Sequence, residues 1–98
     1  MNTPPNNIHV SIRRWRDRVN GNSYFSGRIF ADGELLATMP YEYGYGSHPE
    51  WEAARVLRTV VDLPNASLEQ ACRDAGIKLT TDEAYATRRE VTAYGKKN

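Results

Sequence analysis

The stretch that decides the fold is "IHVSIRRWRDRVNGNSYFSGRIFADGELLATM", residues 8–39. Three runs within it, IHVSI, SYFSGRIF and ELLATM, are rich in β-branched and aromatic residues and alternate apolar with polar at period two. Between them stand Asn20-Gly21 and Asp32-Gly33, dipeptides that accept the positive φ angles of a type I′ turn. The pattern predicts an antiparallel meander of three strands. Two-residue turns also fix a register. Across the first, Val19 faces Asn22, Trp15 faces Ser26, Arg13 faces Arg28 and Ile12 faces Ile29; across the second, Ala31 faces Glu34, Ile29 faces Leu36 and Arg28 faces Ala37. One face then collects Val10, Ile12, Phe25, Ile29, Ala31 and Leu36 as candidate core, with Arg14 and Arg16 at its far end and Ile12, Ile29 and Leu36 side by side. The other collects Ser11, Arg13, Trp15, Asp17, Tyr24, Arg28, Phe30, Leu35, Ala37 and Met39.

Moving outward, "PYEYGYG" at residues 40–46 begins with a proline that cannot donate to a ladder, so Pro40 ends or edges the third strand. Period two then sets Tyr41, Tyr43 and Tyr45 on one side and Glu42 on the other. The expectation is that one or two of these rings pack on Trp51 at the strand-to-helix corner, leaving the rest exposed for contact. Ser47 and Glu50 have capping-box spacing with Pro49 in the first turn, and Trp51, Ala54, Leu57 and Val61 form a helical stripe that Leu63-Pro64 stops. Ser67 and Gln70 open a short second helix with Leu68, Ala71, Cys72 and Ala75 inward and Gly76 as its left-handed cap. Residues 78–91 fit a helix capped at Thr80 or Thr81, or a fourth strand with Tyr85, Thr87 and Val91 on one side; strand is preferred. The predicted class is α+β: a three-stranded antiparallel meander on one main helix, with a short second helix and an optional fourth strand. The chain reads as one domain, residues 1–98, with 1–7 and 95–98 expected to be flexible.

A chain of 98 residues buries only roughly 60–65 % of its surface on folding, which leaves room for one small core. Its 13 Lys+Arg against 12 Asp+Glu exclude the uniformly basic signature of a nucleic-acid coat protein. Locally the balance differs. Residues 8–28 carry five arginines against Asp17, a charge of +4, whereas residues 32–57 carry five acids against Arg55, a charge of −4. Cys72 is the only cysteine, so an intramolecular disulfide is excluded and a reducing cytoplasm is the expected compartment. The polar start "MNTPPNN" lacks the apolar core of a signal peptide, and no run reaches the roughly 20 apolar residues of a membrane span.

The order of a His9-Val10-Ser11 strand, the Arg14-Trp15 pair, the Asn20-Gly21-Asn22 turn, the Asp32-Gly33-Glu34 turn and the Tyr43-Gly44-Tyr45-Gly46 segment resembles a signature of small proteins of tailed bacteriophages and prophages. The match spans residue 8 to about residue 46, departing at Arg16 and Phe25, and extends less clearly into "CRDAGIKL". The resemblance implies a phage origin and carries no activity.

Catalysis requires converging acid, base or nucleophile groups, or ligands at metal spacing. His9 and His48 are far apart, Cys72 has no C-x-x-C partner, and Ser47-His48-Glu50 is explained by helix capping. The expectation is a protein that is not an enzyme and needs no metal or cofactor. The Arg/aromatic face is the candidate surface, with Arg13, Trp15, Tyr24, Arg28, Phe30, Tyr41, Tyr43 and Tyr45 as binding residues. Arg13 opposite Arg28 is a like-charge pair that something must offset. Three readings compete. The arginines contact phosphates while Trp15, Tyr24 or Phe30 stacks bases of single-stranded nucleic acid. Alternatively they lie over Trp15 and Tyr24, or are neutralised by Asp17 and an acidic helix. In the third reading the face binds a protein, because Trp, Tyr and Arg dominate interface hot spots. The expected function is that of a small accessory protein binding a host nucleic acid or nucleoprotein machine, with no membrane association. Alternatives are an inhibitor of a host defence or transcription protein, and a virion or assembly component; a homodimer through an open sheet edge is a further expectation.

Overall fold

The computed structural model describes residues 5–44 and 48–96; Tyr45, Gly46 and the predicted Ser47 cap lie outside the described residues. Strands β1 (Asn7–Asp17), β2 (Asn22–Ala31) and β3 (Glu34–Tyr43) are followed by α1 (His48–Leu57), α2 (Leu68–Asp74), β4 (Lys78–Tyr85) and α3 (Arg88–Tyr94). The sheet order is β3-β2-β1-β4, antiparallel through the meander and parallel between β1 and β4. The fold is α+β, as the meander predicts. Residues 78–85 form the preferred strand and no helix is capped at Thr80 or Thr81; a separate helix follows, opened by a full capping box between Thr87 and Glu90.

The first hairpin corrects the predicted register. Asp17 pairs with Asn22, so the loop is Arg18 to Gly21 rather than Asn20-Gly21 alone. The Asp17 carboxylate explains the wider loop: it accepts hydrogen bonds from the amides of Val19 and Asn20 and from the Asn20 side chain. Arg13 therefore faces Ser26, Arg28 faces Ser11 and Ile12 faces Gly27. The predicted Arg13–Arg28 pair does not form. Because the slip is two residues, every side chain of β1 and β2 keeps its predicted face.

The second turn forms as read, with Asp32 at φ 50°, Gly33 at φ 87° and Ala31 opposite Glu34. Beyond Phe30 the register shifts by one, so that Ile29 pairs with Ala37 rather than with Leu36. This irregularity flips the alternation of β3. Leu36, expected beside Ile12 and Ile29, is 37 % exposed, while Met39, assigned to the opposite face, is fully buried. Met39 packs against Gly27, where a Cβ would stand 3.0 Å from its terminal methyl. Glycine on β2 thus makes the hole that the shifted β3 fills.

The core joins Ile8, Val10, Ile12, Phe25, Ile29 and Met39 of the sheet to Ala53, Ala54 and Leu57 of α1, Leu63, and Leu68, Ala71 and Cys72 of α2. The buried ridge of α1 begins at Pro49 and uses small residues, bringing the helix close to the sheet. Trp51 lies roughly 135° around the helix from that ridge and is 72 % exposed. Its predicted place on the buried stripe is overturned, and Tyr41 and Tyr43 pack on Tyr24 rather than on it. At α2 the Ser67 hydroxyl accepts from the Gln70 amide, but the Gln70 side chain turns to Asp74, so half of the predicted box forms; Gly76 has φ 73° as expected. At the chain start the amides of Asn6 and Asn7 donate to the Asp32 carboxylate.

Candidate binding face

Helices α1 and α2 cover the predicted core face, and α3 lies across the centre of the other one. The covering is specific. Val91 is fully buried, its carbonyl accepts from the Ser26 hydroxyl, and a Cβ on Gly95 would stand 2.6 Å from the Met39 carbonyl oxygen. Tyr94 sits beneath both predicted binding arginines. The Arg13 and Arg28 guanidiniums lie 4.7 and 4.3 Å from its ring centre, and Arg28 Nε donates to the Tyr94 carbonyl at 3.0 Å. Arg13 also donates to Asp82 at 2.7 Å. The two arginines are satisfied within the molecule, but by Tyr94 and Asp82 rather than by Trp15, Tyr24 or Asp17.

Asp82 is the hub of a network that binds the edge strand β4 to β1. Its carboxylate accepts from Arg13, from the Ser11 hydroxyl at 2.9 Å and from His9 Nε2 at 2.7 Å, while His9 Nδ1 lies 2.7 Å from the Thr80 hydroxyl. Burial alone pushes the Asp82 carboxyl up, but the hydrogen bonds from Arg13, His9 and Ser11 outweigh it and hold the group at about 2. Ser, His and Asp meet here without the order of a nucleophilic triad. The Ser11 hydroxyl is 3 % exposed, donates to the aspartate and accepts from Tyr94 and Arg13, so the histidine takes no proton from it.

Beyond α3, toward the β1–β2 loop, the same face is open and aromatic. Trp15, Tyr24 and Tyr41 stack in succession across β1, β2 and β3, with ring centres 5.5 and 5.2 Å apart, and Tyr43 meets Tyr24 edge-on at 5.6 Å. Arg88, in the first turn of α3, places its guanidinium 5.9 Å from the Trp15 ring centre. Burial holds the Tyr41 hydroxyl above its usual range. Phe30 lies apart, at the opposite end of the face beside His9, 6.2 Å between ring centres. Of the predicted binding residues, the structure brings together Trp15, Tyr24, Tyr41 and Tyr43, separates Arg13, Arg28 and Phe30 from them, and does not describe Tyr45.

β1 continues past the end of β4, and in that step opens a cleft of about 800 Å³ lined by Trp15, Arg16, Arg18, Gly21, Tyr85, Ala86 and Thr87. Two arginines and two aromatic rings line it, with no carboxylate among the described lining residues. Tyr85 is 77 % exposed. No hydrogen bond or ion pair engages the Arg16 or Arg18 side chain among the described residues. Arg88, Arg89 and Lys96 extend this positive surface along the exposed side of α3. Sequence reasoning missed Arg16, Arg18, Tyr85 and Arg88 as a group because β4 and α3 bring the last two to the loop end of β1 only through a parallel crossover.

Among the described residues no cluster of His, Cys, Asp or Glu could hold a metal ion, and no helix is long and apolar enough to cross a membrane. No protein-family model, curated protein or solved structure matches the chain.

Proposed function

We propose that this protein is a non-enzymatic accessory protein of phage type that binds single-stranded nucleic acid of its host, alone or within a nucleoprotein machine, at the aromatic end of its sheet. The observation that carries this reading is the cleft of two arginines and two rings, continuous with the basic side of α3. Arginines without internal partners suit phosphates, and Tyr85, 77 % exposed, offers a π surface next to them. The ligand-contacting set is Trp15, Arg16, Arg18, Tyr85 and Arg88, with Arg13 and Arg28 assigned to the scaffold. The near-neutral whole-chain charge, 13 basic against 12 acidic residues, makes this binding local rather than coat-like.

The test is titration of labelled single-stranded RNA and DNA at low and moderate salt. Affinity falls by about 0.7 log unit per contacted phosphate for each log unit of salt. Arg16→Ala with Arg18→Ala, and separately Tyr85→Ala, weaken binding without unfolding the protein. Absence of binding at low salt refutes the reading.

One observation favours a second reading, that of an inhibitor acting by protein contact on a host defence or transcription protein. The Trp15–Tyr24–Tyr41 stack spends ring faces on its own members, so bases have few faces to stack on, while Tyr43 beside it is 49 % exposed. A stoichiometric protein retained from nuclease-treated host lysate, by wild type and not by Tyr43→Ala, selects this alternative.

A further inference from the structure

The two edges of the sheet are built differently. The β3 edge has two register irregularities, Pro40 within the strand, and Glu34 and Glu42, all features that blunt an edge against pairing. The β4 edge has no irregularity and no proline, and of its charged residues Asp82 and Glu83 are turned to partners on β1. Its residues Lys78 to Tyr85 pair with β1 in unbroken register, contain neither proline nor glycine, and are exposed except for Leu79, which is partly buried.

The direction of its main-chain groups follows from the flanking hydrogen bonds. The Lys78 amide donates to Asn6 and the Ala86 amide to Arg14, so the even-numbered residues spend their N–H groups on β1. By alternation, Leu79, Thr81, Glu83 and Tyr85 present N–H and C=O to the outside.

We propose that β4 pairs with β4 of a second copy, antiparallel about a two-fold axis at Asp82, to form one continuous sheet through the dimer. This register is self-complementary. Leu79 of each copy faces Tyr85 of the other, covering the most exposed ring of the strand, and Thr81 faces Glu83; about eight main-chain hydrogen bonds close the ladder. The like-charge contact on the axis is relieved in advance. Each Asp82 carboxylate turns back over its own β1, where Arg13, His9 and Ser11 hold it, and each Glu83 is paired with its own Arg14 at 2.8 Å. The other in-register choices that keep the outward residues paired are shorter, closing about six main-chain hydrogen bonds or fewer. One strand per copy is a small interface, below about 1,200 Å², so the dimer is concentration-dependent. This inference does not rest on the nucleic-acid reading, and the two compete for Tyr85, which the dimer covers.

Light scattering coupled to gel filtration tests it without ligand. Wild type runs as a dimer at about 500 µM and dissociates on dilution toward about 5 µM. Thr81→Pro removes an outward N–H, which an edge strand tolerates, and gives a monomer with native circular dichroism. Thr80→Pro, whose N–H is spent on β1, lowers thermal stability instead. Should Thr81→Pro fail to fold, amide exchange of wild type decides: the Thr81 and Glu83 amides exchange at least about tenfold more slowly at high than at low concentration. A monomer at about 500 µM, a folded Thr81→Pro that still dimerises, or Thr81 and Glu83 amides indifferent to concentration overturns the proposal.

Discussion

Replacing Asp82 with Asn keeps the shape of the hub and removes its charge, and the structure sets both the size of the effect and its pH window. The carboxyl sits at about 2 in the folded protein, against about 3.9 for an unperturbed aspartate. The folded value is the lower one, so as pH falls the unfolded chain takes up the proton first. The stabilisation is therefore complete above about pH 5, declines from about pH 4, and is gone below about pH 2. Taken at face value the difference is about 2.5 kcal/mol. The Asp82 side chain is 46 % exposed, and solvent screening reduces the expected effect to about 1 kcal/mol. Urea unfolding followed by circular dichroism measures it, a change of about 1 kcal/mol corresponding to a midpoint shift of about 0.5–1 M for a domain of this size. Asp82→Asn is expected to be less stable than wild type at pH 7 by that amount and equal to it near pH 2. Comparing the two proteins at each pH cancels the titration of every other carboxylate. An equal deficit at both pH values, or none at pH 7, refutes the hub.

Gly95 has φ −85°, which any residue adopts, yet an added Cβ meets the Met39 carbonyl oxygen at 2.6 Å and Ser26 Cβ at 2.8 Å; Gly95→Ala is expected to lower stability by about 1–3 kcal/mol in thermal unfolding, by lifting the end of α3. Trp51→Ala is expected to change stability by less than about 0.5 kcal/mol, since the ring is 72 % exposed, and to remove a solvent-quenchable component of the fluorescence. Asp32→Ala combines a left-handed backbone at φ 50° with the loss of two amide partners, and a loss of about 1–2 kcal/mol is expected in urea unfolding. The Cys72 thiol is 1 % exposed and burial pushes its titration up, so a thiol reagent is expected to label it only in denaturant; rapid native labelling contradicts the α2 packing.

The parts of the fold legible in the sequence were those written in local chemistry. Alternation gave β1 and β2 their faces, and those faces survived a register error because the error was an even number of residues. Asp32-Gly33, Ser67 and Gly76 acted where they stood. What stayed hidden depended on contacts distant along the chain. The shift that exposes Leu36 and buries Met39 answers to Gly27 on the neighbouring strand, not to any signal within β3. Trp51 misled because a large apolar ring outweighs two alanines in a periodicity count, although it is the alanines that let α1 approach the sheet. At the candidate site the aromatic half was legible from Trp15, Tyr24 and the tyrosines after Pro40. The cationic half was misassigned, because Tyr94 and Asp82, which absorb Arg13 and Arg28, come from segments 66 and 69 residues away in the chain.

The positive segment before Arg28 divides according to where the later elements stop. Asp82 and Glu83 of β4 take Arg13 and Arg14, and Tyr94 of α3 takes Arg28 and shares Arg13. β4 pairs no further along β1 than Arg14, and α3 begins only at Arg88. Arg16, on the three-residue step of β1 past that boundary, and Arg18, the first residue of the loop after it, both line the cleft. Arg13 and Arg14 each have a carboxylate partner and Arg28 a ring and a carbonyl, whereas Arg16 and Arg18 stand beside the exposed Tyr85 ring. Internal partners for Arg13, Arg14 and Arg28 leave the charge of this segment at Arg16 and Arg18, next to Tyr85. On the nucleic-acid reading proposed above, a ligand drawn by that charge would meet the loop end of β1 before the covered centre of the sheet.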